Sequence, residues 1–227
     1  MSAGEKRCTA MFVKCPGKGG IKSRLRPDLD DEFILSLYES FVLDLQETLR
    51  RGGYPCRVFF TPADGRGEIT SRFGRCDAIP QIGADLGERM GNAFRRCFAD
   101  GFTAVVVIGS DIPDLPLEIL AEAFAALDSR GAVIGPAVDG GYYLIGFTKQ
   151  MFAPGVFEGI SWSTDAVFPE TMARLERAGV GVHRLPCWHD IDTPDDLREL
   201  VRRNRDTPFA RSRTMRCLAA RGSFIAS

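Results

Sequence analysis

The sequence lacks several features that would place it in a common class at once. None of its seven cysteines forms a C-x-x-C pair, and an odd number of scattered cysteines argues against a disulfide framework and against a structural zinc site. No apolar run approaches the ~20 residues of a membrane-spanning helix. The first nine residues contain no apolar stretch typical of a secretory signal. We therefore expect a reduced, cytoplasmic protein without a membrane span.

Excess charge is missing too, as are two common nucleotide-binding motifs. A formal net charge of -1 at pH 7 gives no electrostatic reason to expect nucleic acid or an anionic membrane as partner. Neither G-x-x-x-x-G-K-[ST] nor G-x-G-x-x-G occurs, which excludes the P-loop and dinucleotide-binding folds. The 227 residues, 44% of them hydrophobic, suffice for one large core. We expect one domain over residues 1–205 and a basic tail over residues 206–227.

The clearest positive feature is a short run of β-branched apolar residues at positions 105–108. Such a run predicts a strand buried on both faces, as in the centre of a parallel sheet. Gly109 and Pro113 end it, and Ser110 and Asp111 place oxygen atoms at its carboxyl end. Because ligands of open α/β sheets bind beyond these strand ends, Asp111 is a candidate ligand of a metal or nucleotide. The alternative is an aspartate that only caps the next helix.

A basic, glycine-rich loop follows the first predicted strand, residues 9–13. Residues 14–27 contain three glycines and five lysines or arginines. Main-chain N–H groups and cationic side chains together suit a di- or triphosphate. The candidate phosphate ligands are Lys14, Gly17, Lys22 and Arg24. A solvated basic loop is the alternative interpretation.

Three other loops carry candidate ligands. Gly83 and Arg89 flank a capping-box-like helix start, where Arg89 either reaches a ligand or is simply exposed or ion-paired. The run Asp139, Gly140, Gly141 and Tyr142 indicates either a hairpin turn or a sugar contact in which Asp139 accepts hydrogen bonds from hydroxyls. Trp162 is interpreted either as core packing or as a stacking platform for a substrate ring.

A late acidic segment supplies further carboxylates. Thr193 and Pro194 predict the N-cap and first residue of a helix. Asp190 and Asp192 are not needed for that helix start, and alternate residues of an extended segment point the same way. With Asp111 they would form an oxygen-rich site suited to Mg²⁺ or Mn²⁺.

Helical spacing and its loss define the remaining elements. Asp30 and Asp31 precede a predicted helix whose apolar residues are spaced three and four apart, and the glycines at 52 and 53 end it. Ser163 or Thr164 is the predicted N-cap of a helix over residues 165–179. From residue 206 the periodicity disappears, which indicates a loosely attached tail. Its apolar residues leave a docking or homodimer role open; they are Met215, Leu218, Phe224 and Ile225.

Taken in order, these motifs resemble the nucleotide-diphospho-sugar transferase superfamily with the GT-A fold. More narrowly, residues 14–25, 81–90, 135–146 and 161–164 resemble a bacterial branch, DUF2064, often described as glycosyltransferase-like. The resemblance covers residues 9–200 and implies a three-layer α/β/α sandwich with a mostly parallel central sheet. It also implies that Asp111 and Asp192 bind metal with Asp190 as neighbour, and that Lys22 and Arg24 meet the nucleotide phosphates.

The sequence departs from the family pattern at three places. The Asp-x-Asp signature of glycosyltransferases is reduced to Ser-Asp-Ile-Pro, without a second acid two residues from Asp111. Lys18 stands where a proline is common, and Ser23 stands where a threonine is common. Both of these changes are compatible with phosphate binding.

The resemblance implies a metal-dependent glycosyltransferase that uses a nucleotide-diphospho-sugar and a small-molecule acceptor. Lys22 and Arg24 would assist departure of the nucleotide, and Asp139 would hold the sugar or deprotonate the acceptor. The alternative is a nucleotidyltransferase that joins a nucleoside triphosphate to a phosphorylated small molecule. A non-catalytic nucleotide-binding module is a third reading, because fold alone does not establish chemistry.

Overall fold

A seven-stranded sheet forms the middle of the computed structural model, which describes residues 6–17 and 20–221. Its strand order is β3-β2-β1-β4-β6-β5-β7. Only β6 runs antiparallel to its neighbours, β4 and β5, while all other paired strands are parallel. The strands are β1 (Arg7–Lys14), β2 (Cys56–Thr61), β3 (Asp77–Pro80), β4 (Ala104–Ile108), β5 (Ala132–Pro136), β6 (Tyr142–Thr148) and β7 (Val182–Arg184). The mostly parallel sheet predicted from the sequence is confirmed.

Helices cover both faces of the sheet. They are α1 (Asp31–Arg51), α2 (Arg66–Phe73), α3 (Leu86–Ala99), α4 (Leu117–Arg130), α5 (Val167–Arg177), α6 (Pro194–Asn204) and α7 (Arg213–Ala219). Val106 and Ile108 of β4 belong to the core beneath α1 and α4, whereas Val105 and Val107 belong to the core beneath α3. Alternate residues of one strand thus fill two cores, and the three-layer α/β/α sandwich is confirmed.

The helix starts follow from local hydrogen bonding. Asp30 caps α1 by accepting a hydrogen bond from the Phe33 N–H at 2.8 Å. Thr193 and Asp196 form a reciprocal capping box at the start of α6. Both starts agree with the sequence prediction. In the described ranges, no helix has the length and apolar character needed to cross a bilayer.

The predicted N-cap of α5 is wrong. Thr164 Oγ1 donates to the Ser161 carbonyl at 2.6 Å and accepts from the Ala166 N–H at 3.3 Å, so its hydroxyl closes a local turn. Ser163 has a left-handed backbone, with φ of 66°. The helix begins only at Val167, without a side-chain cap.

The expectation of a loosely attached tail is also wrong for the described residues beyond 206. The buried Asp44 carboxylate of α1 accepts from the N–H groups of Arg213 at 3.1 Å and Thr214 at 2.8 Å. It thereby satisfies two free N–H groups at the start of α7. Leu218 is fully buried in the core of this face, so this segment docks on α1. Phe224 and Ile225, like Lys18, lie outside the described residues.

We expect Gly146→Ala in β6 to lower the free energy of unfolding by about 1–3 kcal/mol, the usual cost of overpacking a core. A Cβ at Gly146 would lie 2.7 Å from Val106 Cγ1 and 2.9 Å from Val133 Cγ1. Gly67 of α2 is the matched control, because a Cβ there meets no atom within 4 Å. Urea denaturation should show no loss for Gly67→Ala. Equal stability of the two variants would show that β4, β5 and β6 accommodate the added methyl group without a loss of free energy of unfolding.

Candidate functional site

The site is built where the chain changes direction within the sheet. From β1 the chain adds β2 and β3 on one side, and it then crosses to β4 on the other side of β1. The carboxyl ends of β1 and β4 consequently lie side by side and in parallel. A point where strand addition changes from one side of the sheet to the other is a topological switch point. The loops that follow β1 and β4 leave it in different directions, and the crevice between such loops commonly holds the ligand.

Lys22 joins the loops at this edge. Its ammonium nitrogen lies 2.5 Å from Asp111 Oδ1 and 2.8 Å from Asp192 Oδ1. The Lys22 side chain is only 4% exposed, and its backbone is left-handed at φ 46° and ψ 43°. The Ile191 N–H also donates to the Asp111 carbonyl at 2.9 Å. Three distant segments are thus fixed around one cationic centre, which the sequence spacing could not show.

Charge holds this cluster in its ionised form. Burial disfavours the charged ammonium, yet Asp111 and Asp192 outweigh that effect and raise the pKa of Lys22. Burial likewise opposes ionisation of Asp192, but Lys22 lowers the pKa of this carboxyl below its usual range. Lys22 and Asp192 therefore remain an ion pair at neutral pH.

Asp190 has a different environment from Asp192. Burial, followed by repulsion from Asp139 and Asp192, raises the pKa of Asp190 to about 6. The structure therefore places the carboxylates of residues 139, 190 and 192 close enough to interact. Repulsion among these carboxylates opposes their simultaneous ionisation, and a cation bound between them would relieve it.

Tyr38, which belongs to the apolar stripe of α1, connects two strand ends. Tyr38 Oη lies 2.8 Å from Ser110 Oγ, and it accepts a hydrogen bond from the Lys14 N–H at 2.9 Å. Tyr38 and Ser110 are both buried. Ser110 thus helps to fix the β4 end. The position of Tyr38 in the apolar stripe of α1 gave no sequence signal that its hydroxyl would contact Ser110.

The glycine-rich loop already binds a carboxylate oxygen. The Gly17 N–H donates to Glu68 Oε1 at 2.5 Å, and Arg72 Nε donates to the same oxygen at 3.1 Å. A main-chain group in the predicted phosphate loop is therefore oriented to bind an anionic oxygen. Arg24 is 74% exposed and lies 3.9 Å from Asp192 Oδ2, where it can meet an incoming anion.

Other predicted ligands lie near the start of α3, next to the core beneath that helix. Arg89 Nε donates to the Gly83 carbonyl at 3.1 Å. Tyr142 Oη points to Met90 Sδ at 3.9 Å. A Cβ at Gly87 would lie 2.7 Å from Trp162 Cζ2, so the indole packs directly on this helix. These contacts favour the packing interpretation of Trp162, and they engage Arg89 in its own loop.

Residues 137–141 form the hairpin connection between β5 and β6. Asp139 Oδ1 accepts from the Gly141 N–H at 2.9 Å, and the Ala137 N–H donates to the Gly141 carbonyl at 3.0 Å. Gly140 has a φ of 89°, and a Cβ there would lie 2.6 Å from Asp165 Cα. The turn interpretation accounts for both glycines, and Asp139 remains exposed beside the acidic edge.

The donor set fits a divalent cation in part. Among the residues in the described ranges, no three His, Cys, Asp or Glu side chains form a ready metal site. Asp111 and Asp192 nevertheless face one point, and the Lys22 ammonium stands there as a cation. Mg²⁺ commonly takes one or two carboxylates and fills its other positions with water and substrate phosphates. The two carboxylates therefore suit a metal that arrives with a nucleotide.

Comparison with known proteins identifies related chains. A family model described as "Uncharacterized protein conserved in bacteria (DUF2064)" matches residues 44–164. A crystal structure from Desulfovibrio desulfuricans G20, provisionally classed as a nucleotide-diphospho-sugar transferase, is 39% identical with a TM-score of 0.92. That alignment covers 97% of each chain. No curated protein sequence matches the chain significantly.

More distant structures share the fold alone. The inositol-1-phosphate CTP transferase of T. maritima is 14% identical with a TM-score of 0.55, and the alignment covers 88% of this chain and 95% of that one. The manganese complex of Rv0371C from Mycobacterium tuberculosis H37Rv is 14% identical with a TM-score of 0.51, covering 87% and 98%. The chain thus has the fold shared by nucleotide-sugar transferases and cytidylyltransferases.

Proposed function

Because the chain belongs to the DUF2064 family of bacterial proteins, we propose that it is a metal-dependent transferase whose donor is a nucleotide-diphospho-sugar. The observation that carries the proposal is the meeting of Asp111 and Asp192 on one cationic centre at the switch point of the sheet. A sugar nucleotide offers a diphosphate that needs both a cation and positive side chains.

Each residue of the cluster has a distinct part in this proposal. Asp111 and Asp192 would hold Mg²⁺ or Mn²⁺, which neutralises the charge that develops on the departing nucleoside diphosphate. Lys22 binds the same phosphates through its compact ammonium charge, and Arg24 binds them through its planar guanidinium group. The exposed Asp139 receives the proton of the acceptor hydroxyl as the glycosidic bond forms. Asp139 is engaged by the Gly141 N–H through one oxygen, which fixes its direction.

The products of turnover test this function. Purified protein is incubated with Mn²⁺, a panel of nucleotide-diphospho-sugars and candidate acceptors, and free nucleoside diphosphate is measured. Release of nucleoside diphosphate for one sugar nucleotide supports glycosyl transfer. Binding of nucleotides without turnover in any combination would instead support a non-catalytic module.

Nucleotidyl transfer is the second candidate, and one arrangement favours it. Trp162 and Tyr142 both contact α3, which favours packing over a sugar platform, whereas the groups suited to phosphates are concentrated around Lys22. In this reaction Lys22 would stabilise the α-phosphate of a nucleoside triphosphate while a phosphorylated acceptor attacks in line. Release of pyrophosphate would identify this reaction and contradict glycosyl transfer.

We predict that Lys22→Met changes metal and nucleotide affinity in opposite directions. The Lys22 ammonium occupies the point where both carboxylates would bind a metal, so its removal should tighten Mn²⁺ binding in the absence of nucleotide, by about tenfold. The same change removes a phosphate ligand and should weaken nucleotide binding by about tenfold, or about 1.4 kcal/mol. Calorimetry measures both affinities.

Arg24→Met is the control for this competition. Arg24 lies 3.9 Å from Asp192 and does not sit between the two carboxylates. Its replacement should weaken nucleotide binding and leave Mn²⁺ affinity within about twofold of the unmodified protein. An unchanged Mn²⁺ affinity in Lys22→Met would show that the metal does not use this pair of carboxylates.

A further inference from the structure

A cavity of about 600 Å³ lies on the α1 face of the protein, away from the candidate nucleotide site. It is bounded by the second half of α1, residues 113–118, Trp188, the end of α6 and residues 207–216. None of the predicted nucleotide or metal ligands lines it. Its volume falls in the range of about 300–1,000 Å³ that is usual for small-molecule sites.

One part of the cavity wall is apolar and partly aromatic. Leu115 is buried, and Trp188 and Phe209 are partly buried residues packed against the same core. Trp188 is held in place because its Nε1 donates to Asp114 Oδ1 at 3.2 Å. A fixed indole beside a phenyl ring forms a rigid surface for a ring or a short apolar chain.

The other part of the wall is rich in arginine. Five arginines line the cavity, namely Arg51, Arg203, Arg211, Arg213 and Arg216. Arg51 is among the cations that lower the pKa of Glu47, after the hydrogen bond from Arg50, whereas Arg211 and Arg216 form no ion pair within the described ranges. The Nη1 atom of Arg203 is buried and has no hydrogen-bond partner. A buried donor without an acceptor is costly, and an oxygen of a ligand or water would satisfy it.

Most of the acidic groups at the cavity are already neutralised within the chain. Asp114 forms an ion pair with Arg203, Asp44 with Arg213, and Glu47 with Arg50. Glu118 is the fourth lining carboxylate. Arg211 and Arg216 thus face one remaining acid, Glu118, so the cavity favours an anion.

We propose that this cavity binds a small organic anion in which a phosphate or carboxylate group is attached to a ring or short apolar chain. The planar guanidinium groups of Arg211 and Arg216 bind the anionic group, for which their geometry is well matched. Trp188 and Phe209 contact the apolar part. This is a second ligand site, independent of the donor proposed above.

Fluorescence of Trp188 provides the test, with phenyl phosphate as the probe. The sequence contains only two tryptophans, so Trp162→Phe leaves Trp188 as the single indole. Titration should give a saturable change in its emission. Adding Arg211→Gln and Arg216→Gln should weaken the apparent affinity at least tenfold, and both side chains are exposed, so the fold should be unaffected. An unchanged melting temperature verifies this.

Two controls separate the cavity from other anion sites. Arg202→Gln removes an exposed arginine of α6 that pairs with Glu199 outside the cavity, and it should leave the affinity unchanged. Lys22→Met should also leave it unchanged, because Lys22 belongs to the nucleotide site. Full binding in the double arginine variant would overturn the proposal, and loss of binding in Lys22→Met would assign the probe to the nucleotide site instead. The absence of any saturable change would also overturn the proposal.

Discussion

Asp111→Ala is expected to weaken manganese-dependent nucleotide binding by about 100-fold or more, equivalent to about 2.7 kcal/mol. The change removes one of the two carboxylates that converge on the cationic centre. A metal would keep only Asp192 as a protein ligand, and Lys22 would compete for that carboxylate without opposition. Calorimetric titration of nucleotide with and without Mn²⁺ measures the loss.

The fold should survive this substitution, because Lys22 keeps its ion pair with Asp192 at 2.8 Å. Asp195→Ala is the matched control: Asp195 is an exposed acid in the first turn of α6. It should retain the nucleotide affinity. If Asp111→Ala bound nucleotide and Mn²⁺ as well as the unmodified chain, the metal assignment would fail.

The largest loss of stability is expected for Asp114→Ala, at about 3–5 kcal/mol. The Asp114 side chain is 2% exposed and pairs with Arg203 through two bonds, Nε to Oδ2 at 2.7 Å and Nη2 to Oδ1 at 2.9 Å. Asn204 Nδ2 also donates to Asp114 Oδ2 at 2.7 Å. Removal of the Asp114 carboxylate leaves the largely buried guanidinium of Arg203 without its counter-charge. Urea denaturation followed by circular dichroism measures the change.

Asp128→Ala on α4 is the comparison for this effect. Asp128 pairs with Arg7 at 2.8 Å, but both side chains are substantially exposed. Exposed pairs contribute less than about 1 kcal/mol, so this variant should remain close to the unmodified protein. A similarly small loss for Asp114→Ala would mean that Arg203 finds another partner.

Sequence reasoning predicted the elements whose signals are local. The apolar spacing of α1, its acidic start and the capping Thr193 of α6 depend on residues a few positions apart, and all three agree with the structure. The buried run at residues 105–108 likewise identified β4. At the start of α5, several hydroxyls competed for the same backbone groups. The local preference for a hydroxyl N-cap therefore predicted Ser163 or Thr164, whereas the helix begins at Val167 without a side-chain cap.

The candidate site depended on long-range contacts that periodicity cannot predict. Asp111, Asp192 and Lys22 were each selected as candidates from neighbouring residues. Their meeting at one point depends on the strand order, and Lys22 and Asp192 are 170 positions apart. The contribution of Tyr38 was missed for a related reason, since a tyrosine in an apolar stripe is explained by packing alone. Asp114 was missed because its partners come from α6.

The docking of α7 on α1 also has a consequence for biosynthesis. Asp44 and the Thr214 N–H are separated by 170 positions, and translation adds roughly 5–20 residues per second. The face of α1 that receives Leu218 thus stays uncovered for about ten seconds or longer while the intervening chain is made. During that interval a nascent chain presents an apolar helix face to chaperones, and closure by α7 ends it.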